Sequence, residues 1–237
     1  MSPCAVILAA GAGSRLGELG TRHSKAMVPV AGRPLIDWGI ERLRAGGVES
    51  LIVVRHASDD ALAVHLHERW PDARIAVQEA RLGIADALSR ALPLLGDVPA
   101  YLACACDSLF AAADIAAMIA AGAGGDAVVG VLDMGAAATA ARSAVQVDGD
   151  RVVAIVEKPA PGTAASSLVA APLYWLPRAM DRHLVADAAQ GAERYVSVAL
   201  AAYLRAGGAV RALRLRERLE VTTAADVDAL AARLRSG

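Results

Sequence analysis

At 237 residues the chain is long enough to bury a full core without disulfides, and it sits in the size range of one large domain. Charged residues make up 21 % and balance to a formal net charge of -1, which excludes a global basic field for nucleic acid or an anionic membrane. Any anion must therefore be caught locally. Three cysteines, Cys4, Cys104 and Cys106, cannot form a fully paired disulfide framework, and Cys-Ala-Cys has no second cluster nearby to complete a zinc site. They read as small core residues in a reducing compartment. The N-terminus MSPCAVILAAGAG shows no cationic leader, and its apolar run is too short to span a bilayer, so a cytoplasmic protein is expected.

In chain order, Ala5 to Leu8 reads as a short buried strand, and a glycine-rich loop follows it. Leu35, Ile36, Ile40 and Leu43 have helical spacing, which predicts a helix over 35–45 stopped by Gly46 and Gly47. Strands are expected at 50–54, 74–77 and 100–105, alternating with helices at 59–69, 85–95 and 111–121. Such alternation with short connections is the signature of a mainly parallel, doubly wound sheet, whose function sits at strand carboxyl ends. From Ala127 the pattern changes to strands at 127–132, 144–147 and 152–156, the last two joined by the turn Asp148-Gly149-Asp150. A helix at 195–206, a strand at 210–215 and a helix at 224–234 close the chain, with no linker or repeat.

The stretch LAAGAGSRLGELGTRHSK, residues 8–25, sets glycines, two arginines and a lysine directly behind the first strand. A glycine loop presents backbone N–H groups to an anion, because no side chain blocks the approach. The spacing of Gly11, Gly13 and Gly17 is not the dinucleotide fingerprint, and there is no Gly-Lys-Ser ending of a P-loop.

What does match is longer. LAAGAGSRLGELGTRHSKAMVPVAGRPLI resembles the N-terminal signature of the sugar-1-phosphate nucleotidyltransferases, L-A-A-G-x-G-[ST]-R-[LM] followed by Lys, apolar-Pro-Val and Gly-x-Pro-[ML]. The resemblance implies that Leu8, Ala10, Gly11, Gly13 and Ser14 line an NTP, that Arg15 neutralises the leaving pyrophosphate, and that Lys25 bridges the phosphates of two substrates. Two anions meet in that reaction, so cations must screen their repulsion.

Three later stretches resemble the same family, in order. In VQEARLGIADAL, residues 77–88, Gln78 and Gly83 fall on the positions that read the base and let the backbone approach it. In LACACDSLF, residues 102–110, Asp107 follows a buried strand where the family has Gly-Asp, and the resemblance makes it a Mg2+ ligand; Cys106 stands in for the glycine. The alternative for Asp107 or Ser108 is a helix N-cap, which is compatible with metal binding. In IVEKPAPG, residues 155–162, Glu157 and Lys158 inherit contacts to sugar hydroxyls and sugar phosphate, with Tyr174 of AAPLYWLP as a further acceptor contact. Near the end, LEVTTAADVDAL puts Glu220 where the second metal-binding aspartate is usual.

His56, His65 and His67 read as solvated or partly buried rather than as a site, since i and i+2 point apart on a helix; His23 could add a contact beside Lys25. Trp38, Trp70 and Trp175 read as core or rim residues, and Ser14 and Ser197 lack a His and Asp partnership.

The expectation is thus an α/β, doubly wound, mainly parallel (Rossmann-like) sheet with an antiparallel insertion, of the nucleotide-diphospho-sugar transferase type. It forms one domain over 1–237, with an NTP half to about 125 and an acceptor half from about 126. The implied activity is Mg2+-dependent coupling of an NTP to a phosphorylated small molecule, most simply a sugar 1-phosphate, with neither nucleic acid nor membrane as partner. Two other readings stay open: a cytidylyltransferase acting on choline phosphate or an alditol phosphate, and a nucleotide-binding regulatory module without turnover. The nucleobase is not legible, and the alanine-rich helices fit a monomer and a homodimer alike.

Overall fold

A computed structural model describes residues 2–164, 166–185 and 195–236. Thirteen strands are described: β1 Cys4–Leu8, β2 Pro29–Val30, β3 Arg33–Pro34, β4 Ser50–His56, β5 Arg74–Gln78, β6 Ala100–Ala105, β7 Ser108–Phe110, β8 Ala127–Asp133, β9 Ser143–Asp148, β10 Arg151–Glu157, β11 Leu168–Pro177, β12 Val210–Arg214 and β13 Arg218–Glu220. The α-helices are α1 Glu18–Arg22, α2 Leu35–Ala45, α3 Asp60–Arg69, α4 Ile84–Ala91, α5 Ala112–Gly122, α6 Ala136–Thr139, α7 Asp181–Val185, α8 Val196–Arg205 and α9 Ala224–Ser236.

One nine-stranded sheet runs through the molecule in the order β5-β4-β1-β6-β11-β8-β12-β10-β9. Its first four strands are parallel, and β1 lies between β4 and β6. The chain leaves β1 towards one side and returns to its other side at β6, so the strand order reverses there. In open α/β sheets the crevice outside the carboxyl ends of such a pair is where ligands bind.

β1 is buried along its whole length because helices cover both faces of the sheet. Alternate residues feed opposite cores: Cys4, Val6 and Leu8 join one cluster, Ala5 and Ile7 the other. A third, smaller cluster sits apart from the sheet and joins Leu16, Val28 and Val30 to Leu109, Val221, Val227 and Leu230. It fastens the C-terminal segment to the loop behind β1.

The expected alternation is present, with differences that have physical causes. The helix expected over 85–95 ends as α4 at Ala91 and continues as a 3-10 turn over Leu92–Leu94, where Pro93 has no N–H to donate. Asp59 caps α3 instead of joining it, its Oδ1 accepting from the Leu62 N–H at 3.2 Å. The largest addition is β11, a ten-residue strand antiparallel to β6 and to β8. Pro172 sits inside it at the break in register between Ala170 and Tyr174, where a missing donor costs no ladder bond to β8.

The histidines disperse as expected. His65 Nε2 lies 2.8 Å from the buried Asp37 Oδ1, which also accepts from Trp70 Nε1 at 2.7 Å, and His56 pairs with Ser58. All three cysteines are free and buried. Among the described residues no helix is long and apolar enough to cross a membrane.

Candidate active site

Between the carboxyl ends of β1 and β6 opens a cleft of about 330 Å³. Residues from four separate stretches line it: Leu8 at the end of β1 with Ala10, Gly11, Gly13, Ser14 and Arg15 of the loop after it, Lys25 beyond it, Gln78 at the end of β5 with Gly83 at the start of α4, and Asp107 after β6. These are all ten of the residues expected on the NTP side. Arg81, Ile84, Ala87 and Thr222 also line it and were not anticipated. Arg81 stands three residues after Gln78 in the same loop, a signal that was available; its Nε donates to the Ala10 carbonyl at 3.1 Å and so ties the two loops together. Thr222 stands two residues after Glu220, in the stretch that the resemblance already sets at the site, so a signal existed for it as well.

The loop's two inner glycines differ in kind. Gly13 has φ +65°, caps the turn over Ser14–Leu16, and leaves a Cβ only 3.2 Å from Leu16 Cδ1, so the fold itself requires glycine. A Cβ on Gly11 would meet nothing within 4 Å. The space it would fill is the cleft.

Lys25 is buried to 9 % exposure, and its Nζ donates to Asp107 Oδ2 across the cleft floor. A cation this buried needs such a partner. Asp107 Oδ1 accepts from Ser108 Oγ at 2.9 Å, and the Asp107 carbonyl accepts from the Val221 N–H at 2.8 Å. Asp107 is therefore a side-chain partner of Lys25 rather than a helix cap. Arg15 lies exposed at the rim and has no protein partner among the described residues. His23 is exposed and outside the lining.

Cys106, which replaces the expected glycine, lines the cleft beside Asp107. Burial, with Asp107 adding to it, pushes its thiol far up, and the same two causes push Cys104 up to about 12. Both stay protonated and neither is a nucleophile.

The residues expected on the acceptor side lie outside the cleft lining and are paired with one another. Glu157 Oε2 accepts from Ser143 Oγ and, at 2.5 Å, from Ser197 Oγ. Lys158 Nζ donates to the Tyr195 hydroxyl at 2.6 Å, and the backbone of Lys158 is held at φ +42°. Tyr174 is buried in β11, where burial raises the pKa of its hydroxyl; Arg218 lowers it and Glu157 adds to the rise.

Antiparallel pairing of β7 with β13 puts Glu220 opposite Ser108, one residue from Asp107. Its two carboxylate oxygens are taken: Arg218 Nη2 is 3.0 Å from Oε1, and Arg142 Nη2 is 3.2 Å from Oε2. Arg218 is itself buried and donates to Ser108 Oγ at 2.9 Å. Burial lowers its pKa, and Glu220 and Asp107 push it back up. A chain of charge thus runs from Lys25 through Asp107, Ser108 and Arg218 to Glu220 and Arg142.

A family model described as nucleotidyl transferase matches residues 4–213. The bifunctional protein GlmU of Hyphomonas neptunium is 42 % identical over 84 residues, 35 % of this chain and 18 % of that protein. The N-acetylmuramate alpha-1-phosphate uridylyltransferase of Caulobacter vibrioides is 37 % identical over 105 residues, 42 % of this chain and 43 % of that protein. The matched region is thus less than half the length of either relative. Among solved structures, UDP-glucose pyrophosphorylase from Acinetobacter baumannii superposes with a TM-score of 0.83 at 20 % identity, over 98 % of this chain and 93 % of that one. At that identity the likeness is one of fold.

Proposed function

The chain belongs to the nucleotidyl transferase family, and from that premise we propose that it couples an NTP, UTP by preference, to a sugar 1-phosphate with release of pyrophosphate. The observation that carries this reading is the convergence of Gly11, Gly13, Ser14, Arg15, Lys25 and Asp107 on one cleft at the point where strand order reverses. The preference for UTP is supported by the curated relative named a uridylyltransferase. Residues 1–125 act as the NTP half and 126–237 as the acceptor half.

In the proposed reaction an oxygen of the acceptor phosphate forms a bond to the α-phosphorus, the bond from that phosphorus to the oxygen leading to the β-phosphate breaks in line, and pyrophosphate leaves. The attacking phosphate is already ionised near neutral pH, so no base need remove a proton. Catalysis then consists of positioning and charge neutralisation. Gly11 and Gly13 admit the triphosphate to the backbone N–H groups, Arg15 meets the leaving pyrophosphate, and Lys25 turns from Asp107 to the phosphates between the substrates. Gln78 and Gly83 face the base, while Glu157, Lys158 and Tyr174 serve the acceptor.

The donor set fits Mg2+ at Asp107, a carboxylate at a strand's carboxyl end beside a phosphate-sized cleft, because Mg2+ uses one or two carboxylates and completes its shell with phosphate and water oxygens. Glu220 would share its oxygens between such a cation and the two arginines that already hold them. Among the described residues no group of three or more His, Cys, Asp or Glu could hold a metal, and phosphate-bridged Mg2+ does not need one. When bound, the ion neutralises the triphosphate and orients it.

Pyrophosphate release tests the reading, with the four ribonucleoside triphosphates and dTTP crossed against sugar 1-phosphates, choline phosphate and alditol phosphates. Release with UTP and one sugar 1-phosphate, lost in Asp107→Ala, is expected. Release with CTP and choline or alditol phosphate alone would replace the acceptor class, and tight NTP binding without release from any pair would favour a regulatory module.

A further inference from the structure

The base-facing end of the cleft carries a side chain with only one way to point. Gln78 closes β5, is 3 % exposed and lines the cleft. Its Nε2 lies 2.9 Å from Asp86 Oδ2 and 3.2 Å from the Gly83 carbonyl. A carboxylate and a carbonyl can only accept, so the amide NH2 must face them, and the carbonyl oxygen Oε1 must face the other way. Among the described residues no protein donor reaches that oxygen. The residue is nearly buried, but that oxygen is an unpartnered acceptor open to the cleft, where a donor on a ligand can meet it.

Asp86 is built to hold this orientation. It sits in the first turn of α4, 2 % exposed, where the helix N-terminus favours its charge. Its second oxygen, Oδ1, accepts from Arg90 one turn further along at 3.2 Å. The same buried carboxylate thus meets the Gln78 amide with one oxygen and Arg90 with the other.

We propose that Asp86 is the positioning residue for base selection: it locks Gln78 as an obligate acceptor, and the cleft therefore takes a base that donates N–H at that point, uracil or thymine through N3–H, against cytosine. This rests on the reading of the cleft as an NTP site. Cytosine carries a lone pair at N3 and can meet the Gln78 oxygen only through its exocyclic amino group, one position round the ring, which displaces the base relative to the ribose. In Asp86→Asn, Arg90 retains the new side-chain oxygen and the amide NH2 turns towards Gln78. Only the Gly83 carbonyl, at 3.2 Å, then still holds Nε2, and Gln78 can turn either its oxygen or its NH2 to the base.

Calorimetric titration with UTP, CTP and N3-methyl-UTP in the presence of Mg2+ tests this on the wild-type chain and on Asp86→Asn. The wild type is expected to bind UTP at least about tenfold more tightly than CTP or N3-methyl-UTP. Asp86→Asn is expected to reduce the UTP-to-CTP ratio by at least about tenfold while melting as a folded protein. A ratio unchanged in a folded Asp86→Asn overturns the proposal, as does N3-methyl-UTP binding the wild type as tightly as UTP, a comparison that needs no variant. Tight UTP binding without discrimination removes this inference and leaves the nucleotide site standing; no NTP binding at all removes both.

Discussion

The two halves of the site are finished to different degrees. On the side proposed for the NTP the lining residues converge on open space, with Arg15 unpartnered among the described residues and room for a Cβ at Gly11 that the fold leaves vacant. On the side proposed for the acceptor the polar groups already satisfy each other, Glu157 with two serines and Lys158 with Tyr195. On the proposed reading a triphosphate enters a prepared cavity, whereas an acceptor would exchange its hydroxyls and phosphate for existing partners. The first arrangement favours tight binding, and the second favours discrimination, because an acceptor that cannot reproduce the displaced bonds leaves buried groups unpaired.

The strongest way to break this contrast is at its junction. Lys25→Ala and Asp107→Ala should each lower kcat/KM by about a thousandfold or more in a coupled pyrophosphate assay, and activity within tenfold of wild type would remove the cleft from the chemistry. The glycines sharpen the NTP side. Gly13→Ala should lose about 1–2 kcal/mol of stability in urea unfolding, from its left-handed backbone. Gly11→Ala should unfold like the wild type, within about 0.5 kcal/mol, yet raise the KM for UTP by about tenfold. A matched loss of stability in both would mean that the loop is structural throughout. On the acceptor side, Lys158→Ala should raise the acceptor KM by about tenfold and leave that of UTP within about twofold; equal rises would merge the two halves.

The smallest effect concerns the thiols. An unfolded cysteine ionises near ~8.5, whereas Cys104 holds its proton to about 12 and Cys106 higher still. The folded state binds more protons over that range, so stability falls as pH rises from ~8.5 towards the folded values. Alkylation at pH 8 followed by peptide mapping should leave Cys104 and Cys106 unmodified in the native protein. Rapid labelling of Cys106 would show that the cleft floor opens.

The NTP half was largely legible because its signals are local. Strand, loop and helix alternate with clear periods, and the motif residues lie near one another or at strand ends, where parallel topology gathers them. The second half was less so. Pro172 argues against a strand in any local reading, and only the register break against β8 accommodates it, so β11 escaped notice although it joins the two parts of the sheet. Likewise Glu220 reads as a metal ligand by position, but its pairing with Arg142 and Arg218 is set by the β7–β13 ribbon and by a contact between residues far apart in sequence. Cys106 was legible as a departure; the burial that keeps its thiol protonated was not.

The bond from the Val221 amide to the Asp107 carbonyl, with Val221 and Leu230 packed into the same cluster as Leu16, also imposes an order in time. On the ribosome the glycine loop and Asp107 emerge well before the segment after β13 that braces them. A nascent chain shorter than residue 221 carries every residue of the first motif and still lacks the brace beneath it. Competence to handle nucleotide should therefore arrive abruptly, once Val221 has emerged and docked, and a chain stalled before that point would be a substrate for quality control, not a partly active enzyme.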